Sequence, residues 1–153
     1  MTRAGFILLA ALGSAALLAG AFAFQHLGGL APCKMCLWQR WPHGAAAVIG
    51  VVALMLPGRV WPLLGALAAA VTSGIGVFHA GVEQGWWEGP TTCTSGPIEG
   101  VAPEDLLNQI LAAPVVRCDE IAWDMLGISM AGWNAILSAV LVGLWLMAAM
   151  RAR

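Results

Sequence analysis

The chain has 153 residues, 60% hydrophobic and only 10% charged, with a formal net charge of −1. Its mean hydropathy is +0.83, whereas a water-soluble domain carries about 25% charge; so much apolar surface excludes a soluble globule and makes the bilayer the solvent. No basic run tracks a phosphate backbone, which excludes nucleic acid as a partner and leaves membrane lipid.

One domain over residues 1–153 is expected, with four spans taken in chain order. A spanning helix needs about 20 apolar residues. The first span, 5–26, opens with Gly5–Phe24, which carries no charge. Arg3 ahead of it and Ala21-Phe22-Ala23 within it also suit a cleaved leader, but the apolar core exceeds the usual ~7–15 residues, so a retained span is expected. A loop, 27–35, follows. The second span, 36–57, is apolar only from Gly44 to Pro57 and reaches spanning length by including Leu37–His43. The third, 60–81, carries Pro62 in its first turn, where a missing donor costs little. The loop 82–124 is irregular in its first half, through Gly85, Gly89, Pro90, Gly96, Pro97 and Gly100. Pro103 then opens a short amphipathic helix ending before Pro114, with Leu106, Leu107, Ile110 and Leu111 on one face; it lies on the membrane or packs on the bundle top. The last span, 125–150, has no formal charge. The expected fold is an all-α, four-helix transmembrane bundle with a long outer loop.

Basic residues near the span ends set orientation. Arg3, Arg59, Arg151 and Arg153 fall on one side, and Lys34, Arg40 and Arg117 on the other. Both termini and the Pro57–Trp61 turn are therefore expected in the cytoplasm, with loops 27–35 and 82–124 outside. Trp38, Trp41, Trp86, Trp87 and Trp123 mark the outer boundary, and Trp61 and Trp145 the inner one.

All four cysteines fall on the outer face. An even number there favours disulfides. Cys93 and Cys118, in the long loop, are a structural staple or a redox pair. Cys33 and Cys36, in the stretch APCKMCLWQR, have the spacing of a redox pair or of half a zinc site. A four-cysteine zinc site draws on two such knuckles, and only one is present; covalent haem needs a histidine directly after the second cysteine, where Leu37 stands. A thiol at a helix N-terminus gains from the dipole. Arg40 falls one turn deeper on the face of Cys36, either snorkelling to headgroups or holding a functional partner. A relay between two cysteine pairs needs an electron acceptor, and with no nucleotide-binding loop in the chain a membrane quinone is the candidate. His79, near the outer end of the third span, has three open roles: hydrogen-bonding a quinone carbonyl, ligating haem, or satisfying a backbone group.

Cys-x-x-Cys-x-x-x-Arg at 33–40, the Cys93 and Cys118 pair, four spans, and the segment Cys118–Gly127 at the start of the last helix together resemble the bacterial disulfide-bond oxidoreductase B family (DsbB). The resemblance covers essentially the whole chain. It implies an enzyme of the bacterial inner membrane that reoxidises a periplasmic thioredoxin-fold dithiol oxidase, DsbA-like, and passes two electrons to ubiquinone or menaquinone. By the same resemblance Cys93 forms the mixed disulfide with the partner, and Cys118 resolves it or exchanges with Cys33. Cys36 is the thiolate that meets the quinone, with Arg40 and His79 as quinone-binding residues and no metal in the site. The chain departs from the family in having no tyrosine and in carrying Lys34 between the first two cysteines. Other readings are a family paralogue with a dedicated substrate, a structural membrane subunit whose disulfides only brace its loops, and a haem carrier using His79 and His26.

Overall fold

The computed structural model of the chain describes residues 1–90, Cys93, Leu111 and residues 116–152. Helices α1 (Arg3–His26), α2 (Lys34–Met55), α3 (Val60–Glu83) and α4 (Met130–Met150) form a bundle in which each packs on its neighbours in order and α4 closes the ring against α1. The helix expected over 103–113 falls, Leu111 apart, outside the described residues.

The ends of the helices follow local chemistry. Thr2 caps α1 by accepting the Gly5 amide at 3.2 Å, satisfying one of the donors a helix start leaves unpaired. The first link runs through Gly29, whose positive φ of 69° suits a residue without Cβ. The cap of α2 is Cys33, whose sulfur accepts the Cys36 amide at 3.1 Å. Pro42 lies inside α2 and removes one internal donor.

Helix α4 begins five residues later than the expected span, at Met130 instead of 125. Asp124–Met125 (β1) and Ile128–Ser129 (β2) pair antiparallel, Asp124 with Ser129 and Met125 with Ile128. Leu126 and Gly127 between them both take positive φ, 56° and 75°, as a two-residue primed hairpin turn requires. Ser129 then caps α4 by accepting the Gly132 amide at 3.2 Å. Apolar composition alone extended the span through this hairpin.

Helices α1, α3 and α4 are long and apolar enough to cross a membrane. Helix α2 has 22 residues, but Lys34, Gln39, Arg40 and His43 make its first half more polar. Outward-facing side chains such as Leu12, Val48, Leu67 and Val140 are exposed, the pattern of a bundle solvated by lipid rather than water. The core at the far end from the cysteines is Phe6, Ile7, Ala53, Ala69 and Trp145. Trp145, expected at the inner interface, is fully buried instead. A Cβ on Gly65 would stand 2.5–2.7 Å from its ring atoms, so the glycine is the space the indole occupies. At that end Arg3 donates to the carbonyls of Leu56 (3.0 Å) and Gly58 (3.3 Å), Arg59 to that of Ala152 (3.0 Å), and Arg151 to that of Met1.

Candidate functional site

The opposite end of the bundle gathers the cysteines. Cys33 stands at the start of α2, and its Sγ lies 2.7 Å from that of Cys36, both present as thiols. Cys93 and Cys118 are joined by a disulfide and both are buried. The Cys118 amide donates to the Cys93 carbonyl at 2.9 Å, and the Cys93 amide to that of Pro90 at 2.8 Å. Cys33, Met35, Val82, Cys93 and Cys118 form one buried cluster, with Cys36 and Val116 against it. The fold thus brings together two pairs that helices α2 and α3 separate in the sequence.

His79 is the side chain between them. It is 3% exposed near the end of α3, with Nε2 3.6 Å from Cys33 Sγ. The ligand atoms of Cys33, His79 and Cys118 all lie within 4.8 Å of one another. The Gln39 amide nitrogen stands 2.9 Å from Nδ1; an amide nitrogen only donates, so with the amide in this orientation Nδ1 accepts and Nε2, 3.6 Å from the Cys33 sulfur, carries the proton. Glu83, one turn beyond on α3, places Oε1 3.8 Å from Nε2. Its other carboxylate oxygen is buried with no hydrogen-bond partner among the described residues.

Arg40 turns toward α1. Its Nη1 donates to Gln25 Oε1 at 2.6 Å, its Nη2 to the Ala21 carbonyl at 3.2 Å, and its guanidinium lies 4.9 Å from the Phe22 ring centre. Its Nε is buried without a partner among the described residues. Arg40, Cys36, His79 and Glu83 all line one cavity of about 420 Å³, whose remaining wall is largely apolar and includes Leu17, Phe24, Trp123 and Leu137. An apolar chamber with a few convergent polar groups is the usual form of a small-molecule site. Lys34 places its ammonium 6.0 Å from the Trp38 ring centre.

Outside the spans, two electrostatic features stand out. The hydrogen bond shared with Cys36, and then burial, push the Cys33 thiol above its ordinary value, so Cys33 keeps the proton of the dithiol pair. Arg117 donates to both oxygens of Asp119, at 2.9 and 2.6 Å, and this bidentate contact holds the Asp119 carboxyl below its ordinary range.

Three polar residues of this region escaped sequence reasoning. Glu83 was legible as a carboxylate four positions after His79, hence on the same helix face. Gln39 and Asn134 offered no such pattern. Asn134 Oδ1 meets His43 Nε2 at 2.8 Å and its amide donates to Thr72 Oγ1 at 3.1 Å. Thr72 in turn donates to the Gln39 carbonyl at 3.0 Å. His43, given no role from sequence, anchors this interior ladder, and His26 stacks on Phe22 with ring centres 6.2 Å apart. Knuckle spacing argued against a metal, but it does not bear on the Cys33, His79 and Cys118 cluster, whose members come from three segments.

Comparison with known proteins completes the picture. Residues 3–148 match the family described as "Disulfide bond formation protein DsbB". The disulfide bond formation protein B of Paracidovorax citrulli is 31% identical over 150 residues, covering 90% of this chain and 81% of that protein. Its counterpart in Verminephrobacter eiseniae is 31% identical over 92% of this chain and 81% of its own length, and that of Pasteurella multocida 31% over 83% and 75%. No solved structure matches. A match that runs from the first turn of α1 into the last turn of α4, through every segment that carries a cysteine, means that the chain belongs to the DsbB family of disulfide bond formation proteins.

Proposed function

We propose that this membrane protein is a thiol:quinone oxidoreductase that recharges a DsbA-like dithiol oxidase outside the bacterial inner membrane, supporting disulfide formation in other proteins. All four helices would cross the bilayer, α2 included, with both termini in the cytoplasm and the cysteines on the periplasmic side. The arginines at the end of the bundle opposite the cysteines support that orientation. The observation that carries the reading is the approach of Cys118 to Cys33: one sulfur of the loop disulfide lies within 4.8 Å of one sulfur of the helix-end pair.

The relay proceeds by thiol–disulfide exchange. A partner thiolate attacks Cys93; the partner–Cys93 bond forms, the Cys93–Cys118 bond breaks, and Cys118 leaves as a thiolate. Cys118 attacks Cys33 of an oxidised Cys33–Cys36 pair, so a Cys33–Cys118 bond forms and Cys36 leaves as a thiolate. The partner's second thiolate displaces Cys93, releasing the partner as a disulfide. Cys93 then attacks Cys118, restoring the loop disulfide and leaving Cys33 and Cys36 as the dithiol. Throughout, His79 directs its Nε2 proton at the Cys33 sulfur, stabilising charge that develops there.

The cavity suits a quinone, ubiquinone or menaquinone. Its wall is largely apolar, the orphaned Arg40 Nε supplies an unused donor, and Cys36 lines it. A quinone bound there would accept two electrons and two protons from the dithiol and restore the Cys33–Cys36 disulfide. Arg40 would hold one of its oxygens, and His79 the other only after turning its Nε2–H from Cys33, while Phe24, Trp123 and Leu137 keep water from the reacting sulfur.

The test is Cys36→Ser. Quinone reduction, followed by absorbance, should be lost, while the Cys93–Cys118 pair still traps a reduced partner. Normal quinone turnover in this variant would refute the relay.

A further inference from the structure

We infer that the fully reduced chain contains a metal site built from Cys33, Cys118 and His79, suited to a thiophilic d10 cation such as Zn2+. Two thiolates and an imidazole are the donor set such ions select. The three ligand atoms already lie within 4.8 Å of one another, all three residues are buried, and the Cys33 Sγ to His79 Nε2 distance is 3.6 Å. Tetrahedral zinc with Zn–S near 2.3 Å separates its ligand atoms by about 3.5–3.8 Å, so that edge is at its final length. The others close once Cys118 is freed from Cys93.

The surroundings complete what the three ligands begin. Metal-bound histidines almost always donate their second ring N–H to a carbonyl or carboxylate. Gln39, 2.9 Å from Nδ1, meets this need by a half-turn of its amide, offering oxygen in place of nitrogen. Glu83 places Oε1 3.8 Å from Nε2, a carboxylate next to the site's histidine but outside the cluster of three ligand atoms, so the fourth position is left to water or an added thiol. Cys33 and His79 line the cavity, which gives the ion a way in.

The site exists in one redox state only. With Cys118 bonded to Cys93, or Cys33 to Cys36, a ligand is missing. With both pairs reduced, binding displaces two thiol protons, forms two Zn–S bonds and one Zn–N bond, and transfers no electrons. The ion then occupies the two sulfurs that must exchange, so excess thiophilic metal arrests the protein in its dithiol form. The proposal deepens the relay reading of the same cysteines, yet its test needs neither quinone nor partner protein, so each idea fails on its own measurement.

The full chain in detergent, reduced with a non-thiol phosphine or left oxidised, is titrated with Zn2+ against a chromophoric chelator. The reduced protein should take one tight equivalent and the oxidised protein none. Cys118→Ser and Cys33→Ser should weaken binding beyond the ~10–100-fold that loss of an outer-shell partner costs, and Gln39→Leu should fall within that range. Cys36→Ser and Cys93→Ser should retain it. Equal zinc uptake in both redox states overturns the site. So does full affinity in Cys118→Ser, or loss in Cys36→Ser, which would mean that Cys33 and Cys36 clamp the ion alone. Helical circular dichroism matching the parent assures that a weakened variant is folded.

Discussion

Gln39→Leu isolates the part of the site that sequence least suggests. The substitution keeps side-chain bulk in a position only 7% exposed and removes the donor that faces His79 Nδ1 at 2.9 Å. The imidazole, itself 3% exposed, then has a buried nitrogen with no partner, at a cost of about 1–3 kcal/mol. The ring recovers that energy only by turning toward another partner, and without the Gln39 donor nothing favours the proton on Nε2 over Nδ1; either change takes the Nε2 proton away from Cys33. A shift of about 1–3 kcal/mol corresponds to roughly 5–150-fold in the population of the productive arrangement. Exchange between the two cysteine pairs should slow by that factor. The assay mixes oxidised protein with a reduced dithiol partner, quenches with acid, and follows the Cys33–Cys118 bond by alkylation and mass spectrometry. Nitrogen NMR of labelled histidine gives the second readout: His79 should be the Nε2–H tautomer in the parent and lose that preference in the variant. Unchanged exchange with an unchanged tautomer would show that Gln39 does not orient the ring.

Packing, turn geometry and charge each give one further expectation. Gly65→Ala forces a methyl to within 2.5–2.7 Å of the Trp145 ring, so it should destabilise the bundle by about 1–3 kcal/mol. Trp145→Phe in the same chain should recover part of that loss in a double-mutant cycle of unfolding in mixed micelles. Leu126, 85% exposed at a φ of 56°, should give way to Asn with a gain of about 1 kcal/mol, read as a higher melting temperature. In the reduced protein the raised Cys33 thiol means that iodoacetamide at neutral pH labels Cys36 first, and Cys33 only under more alkaline conditions. Asp119 has a depressed folded pKa, so the stability from its contact with Arg117 is present above the unfolded carboxyl value, about 3.9, and lost as pH falls through the lower folded one. Asp119→Asn should remove that acid limb from the melting curve, and salt should shrink it.

The spans were legible where the physics is one-dimensional. Gly5–Phe24 and the run from Val60 need only length and absence of charge to declare themselves, and α1 and α3 follow them closely. Hydropathy failed at Asp124–Ser129 because Met125, Leu126 and Ile128 look like the start of a span; what breaks it is positive φ at two successive residues, one of them a leucine with no turn preference. The Trp145 position failed for a related reason. Nothing near it in sequence says that Gly65, on another helix, leaves room for an indole. Within the candidate site, Cys33, Cys36 and His79 could be singled out from sequence because redox spacing and a histidine in an apolar run are local signals. The approach of Cys118 to Cys33 and the contact of Gln39 with His79 depend on how α2, α3 and the outer loop meet, and no spacing along the chain encodes either.

The sulfur of Cys33 has a second occupation. As the cap of α2 it accepts the Cys36 amide, while the relay proposed above would give that same atom a covalent bond to Cys36 or to Cys118. A thiol or thiolate accepts such a bond better than a disulfide sulfur, whose bonding direction is fixed by its neighbour. Each cycle of the proposed relay would therefore loosen and retie the first turn of α2. The Cys36 amide becomes a natural clock for turnover: its hydrogen–deuterium exchange should quicken when Cys33 is oxidised and slow again when the dithiol returns.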